Sequence, residues 1–359
     1  MSVLGKINQF RRGVMRGLTK NIGKPKTERD IILVDKTEIK RVLICRPNGR
    51  LGNLLLITPL VQEVEETFPN CKIDLFVKGG LAPIIFENYE VVNKTIHLPK
   101  KPFKSLIEYI KVWISITSEP YDMAINVDQN SSSGRLAVKF SRAKYKFYGD
   151  LDGELTESKS DYDHIAKYPV YNFRTYLTKL GLPKKNKIVE SLDLKLSIEE
   201  IANGKRILDH IIDPSKRTIC LFTYATGEKC FSEEWWESFY SKLKVEYRNY
   251  NIIEILPIEN VSQIGFQAPT YYSKDIREMG SVLANVDLFI GADSGIMHLA
   301  SSVQAPVMGL FSVSELKKYE PYDGGSVGID TKKCLQPEYF KIINSILENG
   351  KLKLYPKAV

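Results

Sequence analysis

Apolar and polar positions follow two different periods from residue 40 onwards, and together they predict a series of strands and helices. Short apolar runs rich in β-branched residues predict strands, and apolar positions that recur every three to four residues predict helices. Their alternation is typical of an α/β fold, in which helices cover both faces of a parallel sheet. The predicted strands of the first half are 41–46, 72–77, 93–97, 121–127 and 145–149, and its predicted helices are 53–68, 80–88, 103–117 and 131–142.

The second half repeats this pattern after a polar, turn-rich stretch at 150–190, which contains one predicted helix at 170–180. We interpret that stretch as the interdomain region, because 359 residues exceed the size at which one core usually keeps growing. Asp275 and Glu278 fit a capping box at the start of one later helix. The predicted strands that follow are 217–223, 251–256, 287–291 and 306–311, and the predicted helices are 233–246, 275–286, 295–303 and 337–349.

The composition is that of an ordinary globular protein, with 43% hydrophobic and 26% charged residues. No apolar run approaches the roughly 18–20 residues that cross a bilayer. The five cysteines form no CxxC pair, which indicates reduced thiols in a cytoplasmic protein. The four histidines have no ligand spacing, so no metal site is predicted.

The net charge of +8 is concentrated at the amino terminus, where residues 1–29 carry eight basic side chains and one acid. Apolar residues recur there at helical spacing, so residues 1–38 are predicted to be a basic amphipathic segment. Its residues 3–20 could contact an anionic membrane surface. A disordered basic tail is the alternative, favoured by glycines at 5, 13 and 17. Without base-stacking aromatics or a known binding module, no nucleic-acid partner is predicted.

The most informative local pattern follows the predicted strand 287–291. Asp293, Ser294 and Gly295 form a small-residue turn before a helix, and His298 lies about one turn further on. The first N–H groups of a helix lack intrahelical acceptors and lie at the positive end of its dipole, so this junction predicts a phosphate site. The alternative is an ordinary strand–helix turn with a packed histidine.

A second strand–loop–helix junction follows the strand 41–46. It is neither a GxGxxG loop nor a P-loop, but Gly52 supplies flexible backbone at a helix start. Arg46 and Arg50 add cations suited to a diphosphate or an acidic acceptor. Solvated loop charges are the alternative. Because ligands bind beyond the carboxyl ends of parallel strands, we expect both junctions to face one cleft.

A third loop, from Thr223 to Lys229, follows the first strand of the second half. Thr223, Thr226 and Gly227 are followed by Lys229, a point charge that can neutralise a departing diphosphate. An exposed loop lysine is the plain alternative. Ser232 then fits the N-cap of the next helix.

These motifs together resemble glycosyltransferase family 9, the heptosyltransferase family of lipopolysaccharide core synthesis, over nearly everything after residue 40. Arg50-Leu51-Gly52-Asn53, followed by Leu56-Ile57-Thr58-Pro59, is similar to the family's Arg-x-x-Gly-Asp and Leu-x-Thr-Pro signature. The run 121–128 resembles the family strand with an aspartate near its end, here Asp128. The most specific match is 291–300, followed by Ala305-Pro306-Val307.

The resemblance implies a GT-B fold, in which two Rossmann-like domains face a central cleft. The acceptor-binding domain would span 39–185 and the nucleotide-sugar-binding domain 186–335, with a helix and tail at 336–359. The implied enzyme is an inverting, metal-independent glycosyltransferase without a cofactor. It would move a heptose or related sugar from a nucleotide-diphosphate donor to lipopolysaccharide or another cell-surface glycan. It would act in the cytoplasm, peripherally at the inner face of the plasma membrane.

The resemblance also assigns roles to individual residues. The diphosphate would be held by Lys229, Asp293, Ser294 and Gly295, with His298 alongside. The remaining nucleotide-sugar contacts would come from Gly52, Thr223 and Thr226, and from Glu259 as a ribose ligand. Arg46 and Arg50 would contact the acceptor.

The chain departs from the family at Asn53, where family members carry an aspartate thought to be the general base. An amide cannot accept the acceptor's proton near neutral pH, although it can hydrogen-bond the hydroxyl and fix its direction. Asp128 is the first candidate to replace it, and a strand-end cap is the alternative role for Asp128. Two other functions stay open: a catalytically silent GT-B module that binds nucleotide or glycan, and a sugar-nucleotide epimerase.

Overall fold

The computed structural model describes residues 32–33, 35–99, 105–151 and 153–349. Almost all of the predicted basic segment 1–38, including 3–20, and the tail after 349 lie outside them. The chain forms two compact units. The first contains the described residues up to Gly49 together with Pro59–Glu190, and the second contains Arg50–Thr58 and the described residues from Ser191 onwards. The predicted arrangement around a central cleft stays a prediction.

The first unit is built on a parallel sheet whose described strands have the order β3-β2-β1-β4-β5. Each strand begins and ends within about two residues of its predicted bounds. β1 shows why, because its residues from Val42 to Cys45 are apolar and fully buried, as a strand covered on both faces requires. The strands are β1 (Arg41–Cys45), β2 (Lys72–Lys78), β3 (Val92–Leu98), β4 (Met123–Asn126) and β5 (Tyr145–Phe147).

The helices of this half of the sequence begin after a short 3-10 turn at Lys36–Glu38. One of them, α6, lies in the interdomain stretch 150–190, where the sequence pattern predicts only the helix 170–180. The helices are α1 (Leu51–Leu55), α2 (Thr58–Thr67), α3 (Ala82–Ile85), α4 (Leu106–Ser118), α5 (Ser132–Phe140), α6 (Gly153–Ser158) and α7 (Tyr168–Lys179).

The single helix predicted at 53–68 is wrong, because the structure has two helices there with a break at 56–57. Pro59 has no N–H and its ring would clash with the carbonyl of Leu55 in a continuous helix. The chain therefore turns and begins again at Thr58, whose hydroxyl donates to the Leu55 carbonyl at 2.7 Å. The first piece, α1, packs with the second unit, although the sequence pattern places it in the first domain.

The second unit has a parallel sheet whose described strands have the order β11-β10-β9-β6-β7-β8. The sequence did not predict α8, β8, α12 and β11. The strands are β6 (Thr218–Phe222), β7 (Asn251–Ile255), β8 (Thr270–Tyr271), β9 (Leu288–Ala292), β10 (Val307–Phe311) and β11 (Val327–Asp330). The helices are α8 (Ile198–Asp209), α9 (Glu233–Glu246), α10 (Ile276–Leu283), α11 (Gly295–Ser302), α12 (Leu316–Tyr319) and α13 (Gln336–Asn349).

The predicted capping box at the start of α10 forms only in part. The Asp275 carboxylate accepts the backbone N–H groups of Arg277 and Glu278, as a cap should. The Glu278 carboxylate instead accepts the hydroxyl of Tyr271 at 2.6 Å. The complete capping box is at α8, where Ser197 and Glu200 bond each other's backbone N–H groups.

The cysteines of the described residues are free thiols. Cys45, Cys71 and Cys220 are buried, and Cys230 and Cys334 are partly exposed. Burial raises the pKa of the Cys45 and Cys220 thiols well above their usual range, so both stay protonated as small apolar core groups.

Candidate functional site

The junction between β9 and α11 is the centre of the candidate site. β9 is buried throughout, and Ser294 has the extended backbone of an N-cap, with φ −151° and ψ 170°. Its hydroxyl oxygen accepts the Met297 N–H at 3.2 Å. The next amides upstream, those of Ser294, Gly295 and Ile296, donate to no acceptor among the described residues. Three N–H groups at the positive end of a helix dipole are therefore available to an anion.

The residue before this turn, Asp293, forms an ion pair with Lys229. Asp293 is buried, and Lys229 reaches it from the end of the 3-10 turn Gly227–Lys229, where its side chain stays 38% exposed. The Lys229 ammonium also lies 5.7 Å from the centre of the Tyr319 ring on α12. The buried carboxylate thus has a compensating cation, and that cation still has a side open to solvent.

His298 lies beside this ion pair, with its Nε2 3.9 Å from Asp293 Oδ1. Burial lowers the pKa of His298 to about 4, although the Asp293 charge acts in the opposite direction. The nearby Lys229 charge lowers that pKa further. The imidazole is therefore neutral at pH 7, and Lys229 is the cation that balances Asp293.

Two glycines let the start of α1 lie directly against the start of α11 within the second unit. A Cβ atom on Gly52 would lie 2.8 Å from Cδ2 of the His298 ring, and one on Gly295 would lie 3.2 Å from Cβ of Leu51. Both approaches need a residue without a side chain. The structure thus brings Gly52 together with Gly295 and His298, as the two signature motifs suggest. Asn53 follows on the same helix and is half-buried.

The Thr223 hydroxyl is part of a buried hydrogen-bond network and does not lie in an open loop. It donates to Glu254 Oε1 at 2.5 Å and accepts the Gln263 N–H at 3.0 Å, while the Ser262 hydroxyl donates to Glu254 Oε2 at 2.6 Å. Burial raises the pKa of Glu254, and the two hydroxyl bonds oppose that shift. Sequence reasoning missed Glu254, although an acid inside the apolar run Ile252-Ile253-Glu254-Ile255 was a visible signal.

The other residues predicted to contact the nucleotide sugar lie on the surface. Thr226 is exposed at the start of the turn that carries Lys229, and Glu259 is exposed in a turn after β7. No contact joins Glu259 to α11 among the described residues. Nucleotide contacts of Thr223, Thr226 and Glu259 stay predictions.

In the first unit Arg46 and Asp128 form an ion pair. From the sequence, Arg46 is predicted to contact the acceptor and Asp128 is the candidate general base. The Arg46 guanidinium follows β1 and donates to Asp128 Oδ2 at 2.7 Å, while the other carboxylate oxygen accepts the Asn130 N–H at 2.9 Å. Arg46 is buried and Asp128 is partly exposed. At the same sheet edge, Arg135 holds Asp150 at 2.6 Å. Arg50, in contrast, is the exposed N-cap residue of α1 in the second unit.

The described ranges contain neither a cluster of metal-ligating side chains nor a helix that could span a membrane. Among these residues, no group of three or more His, Cys, Asp or Glu side chains is arranged to hold a metal ion. None of the helices in the described part of the chain is long and apolar enough to cross a membrane. Metal independence stays a prediction.

Comparison with known proteins shows that this chain is similar to members of one family. Residues 273–338, which include the β9–α11 junction, match the family model described as glycosyltransferase family 9 (heptosyltransferase). The lipopolysaccharide heptosyltransferase 3 of Escherichia coli is 22% identical over an alignment 307 positions long, and the alignment covers 77% of this chain and 85% of that protein. The sequence similarity therefore extends well beyond the matched junction.

Solved structures share the fold at lower identity. The family 9 glycosyltransferase of Veillonella parvula DSM 2008 superposes with a TM-score of 0.70 at 16% identity, covering 88% of this chain and 99% of that one. The E. coli heptosyltransferase WaaC with ADP gives 0.61 at 14% identity, covering 85% and 99%. The resemblance to glycosyltransferase family 9 is therefore confirmed, the two parallel α/β units are those of a GT-B fold, and the chain is a glycosyltransferase.

Proposed function

We propose that the protein moves a heptose or related sugar from a nucleotide-diphosphate donor to lipopolysaccharide or another cell-surface glycan. We further propose that the reaction inverts the anomeric centre and needs no metal. The observation that carries the proposal is the set of unengaged amides of Ser294, Gly295 and Ile296 beside the Lys229–Asp293 pair. The names of the related proteins, a lipopolysaccharide heptosyltransferase and a heptosyltransferase with ADP, support ADP as the first nucleotide to test.

The proposed donor site uses the backbone first and Lys229 second. The diphosphate oxygens accept the free N–H groups at the start of α11, which are fixed by the fold and need no rearrangement. The Lys229 ammonium has three N–H donors, so it can bind a phosphate oxygen while keeping Asp293 as its partner. When the sugar leaves, the charge that develops on the diphosphate is stabilised by groups already in place.

The proposed chemical step joins the acceptor oxygen to the anomeric carbon as the bond from that carbon to the diphosphate oxygen breaks. The acceptor's hydroxyl proton goes to the Asp128 carboxylate, and Arg46 fixes that carboxylate through their ion pair. Asp128 Oδ2 accepts a hydrogen bond from Arg46, and Oδ1 accepts one from the Asn130 N–H. A carboxylate oxygen has two lone pairs, so each oxygen can still accept a bond from the hydroxyl. Asn53 would hydrogen-bond the hydroxyl without accepting its proton.

We also propose that the enzyme works in the cytoplasm at the inner face of the plasma membrane. The basic amphipathic residues 3–20 would contact its anionic surface. These residues lie outside the described ranges, so this part of the proposal rests on the sequence pattern alone.

The test combines nucleotide titration with product analysis on the full chain. We expect ADP to bind in a calorimetric titration, with UDP and GDP as comparisons, and transfer from ADP-heptose to a truncated lipopolysaccharide to be seen by mass spectrometry. If no nucleoside diphosphate binds, the proposal is wrong. Binding without turnover, in both the wild type and Asn53→Asp, would instead identify a silent module. Sugar conversion in the absence of acceptor would identify an epimerase.

A further inference from the structure

Helix α4 has two apolar faces, and the core of the first sheet covers only one of them. Tyr109, Val112 and Trp113 pack against the core of the first sheet, where Ile116 is fully buried. The opposite face exposes four large apolar side chains at 49–72% of their surface: Leu106, Ile107, Ile110 and Ile114. An apolar helix face of this size that the fold leaves open to solvent is suited to a partner.

The apolar surface continues onto the neighbouring helix α5. Trp113 contacts the Phe140 ring edge-on, with their centres 6.3 Å apart, and Phe140 is itself 50% exposed. We call Leu106, Ile107, Ile110, Ile114 and Phe140 the α4 patch. Single exposed apolar residues need no explanation, but five on two helices that contact each other through Trp113 and Phe140 amount to a larger apolar surface.

Basic side chains accompany the α4 patch and indicate the charge of its partner. Lys111 is exposed four residues after Ile107 and three before Ile114, which places it on the same helix face. Lys139 lies 5.8 Å from the centre of the Phe140 ring, and the exposed Arg142 follows two residues later. On the helix itself, Glu108 is an exposed acid. Apolar side chains bordered by cations match an anionic lipid surface, where headgroups meet acyl chains.

The length of α4 decides how it would meet a bilayer. Its 13 residues span about 20 Å, which is shorter than the ~30 Å hydrocarbon core. Its inner face is also occupied by the protein core. The helix can therefore lie flat in the interface with its outer face inserted, and it cannot cross.

We propose that the α4 patch docks the first unit onto an anionic membrane surface. This inference rests on the proposed function in one respect, because a lipid-linked acceptor is what makes docking useful. It is separate from the contact proposed for residues 3–20, and the two would act together on one vesicle so that their effects multiply.

The experiment measures sedimentation of the full chain with vesicles of phosphatidylglycerol and phosphatidylcholine, compared with phosphatidylcholine alone. Ile110→Asp combined with Ile114→Asp should weaken binding to the anionic vesicles about tenfold or more, because it places two charges in the apolar layer. Lys111→Glu combined with Lys139→Glu should weaken it to a smaller, salt-dependent extent. The matched control is Val245→Asp on α9, a helix residue that is 72% exposed in the second unit.

The outcomes separate docking from folding, self-association and catalysis. All variants should keep the wild-type thermal midpoint and the wild-type rate on a water-soluble acceptor fragment. Equal vesicle binding by the wild type and the double isoleucine variant would overturn the proposal. So would a change in oligomeric state by light scattering without a change in vesicle binding, which would assign the patch to a second copy of the chain. Absence of transfer in the wild type would contradict the proposed function and leave the vesicle result standing.

Discussion

The carboxyl edges of the two sheets are built on different principles. In the first unit the charged groups at this edge are already paired with each other, Arg46 with Asp128 and Arg135 with Asp150. In the second unit the edge leads into α11, whose first amides have no acceptor among the described residues. A ligand at the first edge must therefore exchange partners with side chains, whereas an anion at the second meets donors that the backbone holds in place.

This difference fits two kinds of ligand. In a nucleotide-diphosphate sugar the diphosphate is the same whatever the sugar, so a rigid set of backbone amides suits it and needs no particular side chains. An acceptor sugar presents hydroxyls whose number and direction vary, and paired Arg and Asp side chains can bind them bidentately. We infer that the second edge binds the diphosphate of the donor. We also infer that Arg46 and Asp128 at the first edge determine which acceptor is bound.

The largest expected effect on kcat/KM is at the second edge, from Lys229→Met, because this change lowers turnover and donor affinity together. The change removes the cation from the proposed diphosphate site, and loss of one preorganised donor typically lowers turnover about 100- to 1000-fold. It also leaves Asp293 buried without its partner, so Lys229→Arg should recover part of the activity. The measurement is initial-rate kinetics together with ADP affinity.

The control for this change is Lys333→Met, which removes a lysine from a surface pair with Asp330 at 3.2 Å. That variant should keep wild-type turnover, since such exposed pairs contribute little to stability or function. Near-normal turnover of Lys229→Met would contradict the donor site, whatever the thermal midpoint.

The strands that end at these two edges, and the helix start at Ser294, were predicted from the sequence because each has a local sequence pattern. Buried parallel strands such as β1 and β9 are continuous apolar runs, and the cap at Ser294 is a local signal. Helix α8 was not predicted because only Gly204 and Leu208 are buried along it. Two buried positions are too few to give a helical repeat of apolar residues in the sequence. Strand β8 has two residues, too few for any pattern.

The pairings at each edge were not predictable in the same way. Lys229 and Asp293 are 64 residues apart, and Arg46 and Asp128 are 82 apart. They meet because β6 lies beside β9 and β1 beside β4, and the order of strands in a sheet is not encoded in local periodicity. The same holds for α1, whose packing against α11 depends on Gly52 and Gly295 having no side chains.

The second expected effect is at the first edge, from Asp128→Asn. The amide keeps the shape of the carboxylate but cannot accept the proton, so turnover should fall about 100- to 10,000-fold with little change in donor affinity. The reciprocal variant, Asn53→Asp, tests whether the missing family aspartate limits the wild type. Initial rates with saturating donor measure both.

Asp150→Asn is the control, because it alters the neighbouring Arg–Asp pair of the same edge. It should leave turnover within a few fold of the wild type. If Asn53→Asp raises the rate strongly and Asp128→Asn leaves it unchanged, Asp128 is a strand-end cap and the acceptor's base lies elsewhere.

The smallest expected effect concerns His298 and distinguishes a buried neutral imidazole from a charged one. Burial lowers the pKa of His298 to about 4 in the native state, while the unfolded chain protonates it near 6.5. Between these values the unfolded state binds a proton that the native state does not. The free energy of unfolding should therefore fall as pH decreases from about 6.5 to about 4, and level off for this group below that range.

Urea unfolding across that pH range measures the slope for the wild type, for His298→Gln and for a control, His210→Gln. The glutamine at 298 does not titrate, so its curve should be flatter than that of the wild type. His210→Gln is the same replacement at an exposed position. Identical slopes in the wild type and His298→Gln would show that the imidazole is charged in the native protein. Asp293 would then be compensated by two cations, and Lys229 would no longer be the group that alone balances the buried carboxylate, which would change the account of the second edge at its central residue.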